Sequence, residues 1–431
     1  MSRQDVLKYF VEQADYMNER VSAGIEKKRK GDFCLTVFDK EGNALPGAKV
    51  HLHQKNHEFR VGANLYAIND IGDEERTKQY KQLFADCFNL GVVPFYWAFL
   101  EPEKGKPRFD IDSPHMFRRP ATDLCLEFCK EYGIEPKAHC LQYDSYIPQW
   151  VRDITDLGEE RAALRKRFKE LAERYADKIH SWEVGNEYLF PPTATNTAHF
   201  TQNDTVEWDF RTAEEFFPKN QLIINEAGVN IWPNYNGNRS PYYMLIQRAL
   251  QNGCRIDHIG LQYHVADGPE LEEKWSSTMY APEHIFKVLD RYADFDLPMS
   301  ITEISIPCYD GSEENEAIQA EILKNLYSIW FSYPNMEAIV YWDTVDGLDW
   351  RDFKLGFLRE DLTPKKSYYT IRDLFHKTYH TEADLTADEG GKATVRAFYG
   401  EYDITVTADG KTVTQTLQLS KKGEKDIIIQ L

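Results

Sequence analysis

From about residue 61 to 380, short apolar runs alternate with stretches whose apolar positions recur every three to four residues, the signature of β/α units around a parallel sheet. Eight runs carry the pattern, at 60–66, 90–97, 136–143, 179–187, 221–227, 258–265, 299–306 and 337–344. Helical stretches such as 161–176 and 314–331 separate them. Eight units in this order predict a closed (β/α)8 TIM barrel over 60–380, with its active site at the C-terminal ends of the strands.

The flanks have a different period. Residues 1–30 are helical in pattern and end in the basic run EKKRKGD, read as a solvated helix end. Residues 33–60 alternate as two strands joined through DKEGN and LPG, both rich in turn-forming residues. Beyond residue 380, KATVRAFY, EYDITVTADG, KTVTQTLQLS and EKDIIIQL alternate likewise between glycine-bearing turns. The two β-patterned flanks, 31–59 and 381–431, are expected to meet in one accessory β-sandwich.

Composition adds limits to this picture. With 431 residues, 42% hydrophobic and 13% aromatic, the chain can bury a sizeable core. Its 51 Lys+Arg against 70 Asp+Glu give a net charge of −19, a field that repels nucleic acid and anionic membrane surfaces and suits neutral substrates. The first residues hold no apolar leader segment and no apolar run reaches membrane length, so no membrane partner is expected. The chain as written is expected in the cytoplasm, or in the periplasm or outside the cell if a signal peptide was removed. Seven cysteines, without CxxC or Cys/His spacing, argue against a disulfide framework and a structural zinc. Cys125 and Cys129, at helical spacing, read as core. No cofactor or metal is expected, and the oligomeric state is left open.

Candidate chemistry begins at SWEVGNEYLF, residues 181–190, where Glu187 follows Asn186 at the end of the fourth run. By itself such a carboxylate is more simply a solvated or paired charge. Glu303 in SITEISI, near the end of the seventh run, alters that reading. Strands four and seven of a closed barrel lie three apart, so both carboxylates can face each other across its mouth. Glycoside hydrolysis requires such a pair: one acid protonates the leaving oxygen, and one carboxylate attacks the anomeric carbon or activates water.

WEVGNE resembles the acid/base motif of glycoside hydrolase family 10, the xylanase family, and ITEISI its nucleophile motif. HCLQYDSYIPQWV, IDHIGLQYHV and VYWDTVDGLDW are similar to its strand-three, strand-six and strand-eight segments, and FYWAFLEPEKGKPRFD to the stretch after strand two. The resemblance spans residues 60–375 in order. It implies a retaining mechanism with Glu187 as acid/base and Glu303 as nucleophile, and Asn186 on the sugar 2-hydroxyl. It also implies Gln262 and His264 bonded to Glu303, His139 on the sugar nearest the cut, and Trp342 and Trp350 as apolar walls. Against these roles, His139 could equally be a satisfied core histidine and the two tryptophans mere packing. Glu183 and Glu226 read as buried polar-layer groups.

The chain departs from the family at the specificity positions. Val92 and Val93 stand where the family has Glu-Asn, and Tyr96 where it has Lys. Tyr143, Asp144 and Tyr146 replace Trp, His and Gln, and Ser305 stands where Asp is common. A site lacking those polar groups should not select plain xylan strongly. The expectation is therefore a glycoside hydrolase of β-linked, decorated or short glycans, with a carbohydrate as its partner. A catalytically silent carbohydrate-binding barrel is the alternative, and a pure binder has no reason to keep the carboxylate pair.

Overall fold

Strands β1 (Lys30–Phe38) and β2 (Lys49–His57) precede the barrel in this computed structural model, which describes residues 3–191, 193 and 195–431. Then come β3 (Arg60–Asn64), β4 (Leu90–Pro94), β5 (Glu135–His139), β6 (Ser181–Asn186), β7 (Gln221–Glu226), β8 (His258–His264), β9 (Met299–Ser305) and β10 (Met336–Tyr341). These eight pair in sequence, and β10 closes on both β3 and β9, every pairing parallel. Every residue of β4, β6 and β9 is buried. That is why the runs read as continuously apolar: a parallel sheet covered by helices has no wet face.

Helix starts around the barrel are fixed by polar caps. The side chains of Asp73, Asp156 and Ser312 accept from the N–H groups of Arg76, Glu159 and Asn315, satisfying donors that the first turn leaves free. The N-terminal helix Ala14–Lys28 packs on Glu313–Ser332 through Gly24. A Cβ there would lie 2.4 Å from the Ser332 carbonyl oxygen, so only glycine permits the approach.

Strands β11 (Glu382–Thr386), β12 (Lys392–Phe398), β13 (Gly400–Ala408), β14 (Lys411–Leu419) and β15 (Asp426–Gln430) complete the flanks. One sheet runs β12-β1-β15 and the other β11-β2-β13-β14, so each N-terminal strand lies between two C-terminal ones. Phe33, Leu35 and Val37 of β1 meet Val50 and Leu52 of β2, Ile404 and Val406 of β13, and Ile429 of β15 in a buried core between the sheets. The alternation in the sequence is the alternation of this core with solvent.

The basic run at the end of the N-terminal helix is not simply solvated. Arg29 Nε donates to the Phe331 carbonyl at 2.5 Å, and Nη2 to those of Tyr333 and Met336 at 2.7 and 2.6 Å. Its guanidinium thus ties the N-terminal helix to the chain entering β10, at the end of the barrel opposite the carboxylates. Among the described residues no helix is long and apolar enough to cross a membrane.

Candidate active site

Strand β6 carries Asn186 inward, 2% exposed, and Glu187 stands one residue beyond it. Glu187 has φ +58°, a left-handed conformation that costs an L-residue about 1–2 kcal/mol, and strain of this kind concentrates at functional positions. The Tyr143 hydroxyl donates to Glu187 Oε2 and Gln262 Nε2 donates to Oε1 at 3.1 Å. Burial, and then the charge of Glu303, push the Glu187 carboxyl above its ordinary pKa, while the bonds from Tyr143 and Gln262 pull it back.

Glu303, on β9, is bracketed by two groups. Asn225 Nδ2 donates to Oε1 at 2.8 Å, and His264 Nε2 lies 3.1 Å from Oε2. Asn225 also donates to Asn186 Oδ1 at 2.7 Å, and its own Oδ1 accepts from the Thr302 hydroxyl at 2.5 Å. The Thr302 bond orients the amide, so that its NH2 group faces the carboxylate side. Gln262 donates to Asn186 Oδ1 at 3.1 Å as well. Asn186 therefore links the surroundings of both carboxylates.

Beneath them Glu183, 0% exposed, is bonded to the Lys137 ammonium and to His139 Nδ1. Burial alone would raise the Glu183 carboxyl, but Lys137 and His139 outweigh it and hold it below its usual range. His139 is shifted upward, because Glu183 and Glu303 together overcome its own desolvation, and its Nε2 lies 3.0 Å from the Tyr96 hydroxyl. His139, Glu183 and Glu303 offer atoms within 4.8 Å of one another, a spacing that could hold a cation. Lys137 already brings a positive charge to that cluster.

On the far side of His264, Nδ1 lies 2.9 Å from Ser305 Oγ. The same hydroxyl donates to Asp343 Oδ2 at 3.4 Å and accepts from Trp350 Nε1 at 3.3 Å. Asp343 is paired with Arg118 at 2.9 Å, and its burial pushes the carboxyl up to about 6.

Two carboxylates thus stand at the C-terminal ends of β6 and β9, one raised above its ordinary pKa and one flanked by polar groups. Residues 56–374 match the sequence model for glycosyl hydrolase family 10. The chain belongs to glycosyl hydrolase family 10. Relatives are distant: it is 26% identical to anti-sigma-I factor RsgI6 of Acetivibrio thermocellus, over 94% of this chain and 48% of that protein. It is 25% identical to endo-1,4-beta-xylanase 2 of Arabidopsis thaliana, over 94% of this chain and 35% of that protein. The chain thus spans half or less of the length of these relatives. The crystal structure of xylanase 10B from Thermotoga petrophila RKU-1 with xylobiose superimposes with a TM-score of 0.61 at 21% identity, covering 74% of this chain and 95% of that one. It shares the barrel fold.

The family barrel brings most of the sequence-derived candidates together. Asn186, Glu187, Gln262, His264, Glu303, His139, Tyr96 and Tyr143 form one connected polar set. Gln262, expected on Glu303, bonds Glu187 and Asn186 instead. Trp342 is 5% exposed and packs at 5.1 Å from His139, whereas Trp350 is 38% exposed and lies 5.0 Å from His264. Tyr146 packs against Tyr96 with ring centroids 4.3 Å apart and the planes tilted by 34°, and the Arg119 guanidinium lies over both rings. Asp144 is turned away: its carboxylate accepts from Asn196 Nδ2 at 2.5 Å and from the Thr197 hydroxyl at 2.8 Å. Val92 and Val93 are fully buried. Glu226 is buried too, accepts from the N–H groups of Leu189 and Ala227, and is pushed by burial up to about 8.

Sequence reasoning missed Asn225, Thr302, Lys137, Arg118 and Asp343. Asn225 had a signal, since it precedes Glu226 at the end of the fifth run as Asn186 precedes Glu187 at the end of the fourth. Arg118 had none, because it lies in the irregular stretch between the second and third barrel strands.

Proposed function

We propose that this chain is a retaining glycoside hydrolase of the endo-1,4-β-xylanase type, acting on β-linked saccharides by double displacement. The observation that carries the reading is the carboxylate pair at the ends of β6 and β9, Glu187 pushed above its ordinary pKa by burial and by Glu303, and Glu303 bracketed by Asn225 and His264. In the first step Glu303 bonds to the anomeric carbon, the glycosidic C–O bond breaks, and the Glu187 proton passes to the leaving oxygen. In the second, water attacks that carbon, gives its proton to Glu187, and releases Glu303. Asn186, fixed by Asn225 and Gln262, would bond the sugar 2-hydroxyl, and this contact strengthens as positive charge develops.

The glycone would meet the cluster of Tyr96, Tyr143, Tyr146 and Trp342, backed by buried Val92, while Val93 faces the core behind the barrel wall. Such a wall suits an apolar sugar face and offers few donors to a distal xylose. Decorated, short or other β-linked glycans should therefore be cleaved better than plain linear xylan, each missing charged hydrogen bond weakening binding by about 1.5–3 kcal/mol.

The test is NMR of the first-formed product from a panel of β-linked glycans. Retained anomer is expected, abolished in Glu303→Gln and partly restored by azide in Glu187→Ala with activated substrates. Inverted product would overturn the mechanism, and binding without turnover across the panel would overturn the hydrolase reading. Equal efficiency on plain xylan and on every other glycan would overturn the substrate preference alone.

A further inference from the structure

Three imidazoles converge on one carboxylate where the chain leaves the barrel for the sandwich. Strands β2 and β11 are antiparallel, with His53 opposite Glu382 and His51 opposite Asp384, so alternation places all four side chains on one face. His380, just before β11, reaches the same point. His53 Nδ1 lies 2.7 Å and His380 Nε2 3.6 Å from Glu382 Oε2, and His51 Nε2 lies 3.1 Å from Oε1. His53, His380 and Glu382 each offer one ligating atom, all within 4.8 Å of one another.

His51 flanks the cluster: its Nδ1 lies 2.9 Å from Asp384 Oδ1 and its Nε2 lies 3.1 Å from Glu382 Oε1.

We propose that His53, His380 and Glu382 form a three-ligand binding site for a borderline-soft divalent cation of the zinc class, with the fourth position taken by water. Imidazole nitrogens with one carboxylate suit such ions and not magnesium. Ligand spacing along the chain does not mark this site, because its halves lie at 53 and 380–382 and meet only through strand pairing. A bound ion ties β2, β11 and the segment leaving the barrel's last helix, and stabilises the folded chain by mass action.

The experiment is isothermal titration of tag-free protein with zinc chloride near pH 8, where free imidazole is neutral, with magnesium as the contrast and metal content read by mass spectrometry. One zinc per chain is expected, with a rise in Tm and no response to magnesium. His53→Ala and Glu382→Gln, both at exposed positions, should each weaken binding at least about tenfold, since every ligand contributes to a four-coordinate site. Glu303→Gln should leave it unchanged, which separates the cluster from the one beside His139. No zinc retained, or zinc retained equally by a His53→Ala/His380→Ala double variant with native circular dichroism, would overturn the proposal.

Discussion

Ser305 Oγ lies 2.9 Å from His264 Nδ1, on the side of the imidazole opposite Glu303. That hydroxyl gives its one proton to Asp343 and receives from Trp350, so a single small side chain joins the His264 ring to a buried carboxylate just beyond the end of β10. Ser305→Ala leaves the imidazole and the indole N–H without an acceptor. We expect kcat/KM to fall by about tenfold, the equivalent of one or two net hydrogen bonds, with KM little changed. Ser305→Asp, which returns an acceptor, should recover part of the loss. Steady-state kinetics on one cleavable glycoside checks both, and an unaltered Ser305→Ala enzyme would show that the ring is held by its packing on Trp350 and Trp342.

Tyr143 bears on the pH range. Its hydroxyl bonds to the charged form of Glu187 and so opposes the upward shift produced by burial and Glu303. Removing that bond in Tyr143→Phe raises the Glu187 pKa further. A general acid works only while protonated, so the alkaline limb of kcat/KM should move to higher pH, by about one unit if the bond contributes about 1.4 kcal/mol. A limb that stays in place or moves to lower pH would contradict the assignment of Glu187 as the acid.

Arg29 offers a stability test remote from the chemistry. Arg29→Ala strips the Phe331, Tyr333 and Met336 carbonyls of a shared donor and should lower unfolding free energy by about 2–3 kcal/mol in urea titrations. Arg29→Lys should recover less than half, because an ammonium lacks the planar fork. Turnover below the melting range should not change.

Deleting residues 382–431 removes both neighbours of β1 and both hydrogen-bonded neighbours of β2. Amide exchange in residues 30–57 should then rise to the rate of exposed chain, with the barrel's amides remaining protected. Persistent protection in β1 would show that the N-terminal strands stand without the C-terminal ones.

The barrel was legible because burial on both faces of a parallel sheet writes itself as apolar runs, and each of the eight observed strands falls on one of them. Glu187 and Glu303 were legible because motif and strand position coincide. Hidden were the groups defined by convergence. Asn225 looks like an ordinary neighbour of Glu226 until Thr302 fixes its amide. Arg29 reads as one more charge in a solvated run until its fork meets three carbonyls. Asp144 sits in a promising segment, yet local bonds to Asn196 and Thr197 turn it away, and no period in the sequence encodes that rotation.

Strand β1 pairs with β12 and β15, and β2 with β11 and β13, so both wait on residues that a ribosome makes only after the whole barrel. At about 5–20 residues per second, the intervening barrel keeps these two strands without a sheet for tens of seconds during synthesis. Through that interval Phe33, Leu35 and Val37 are an open, apolar strand edge of the kind that recruits other nascent chains. Slower translation of the barrel-encoding stretch would lengthen the exposure, and a holdase that shields residues 30–57 would raise the yield of folded protein without touching the barrel at all.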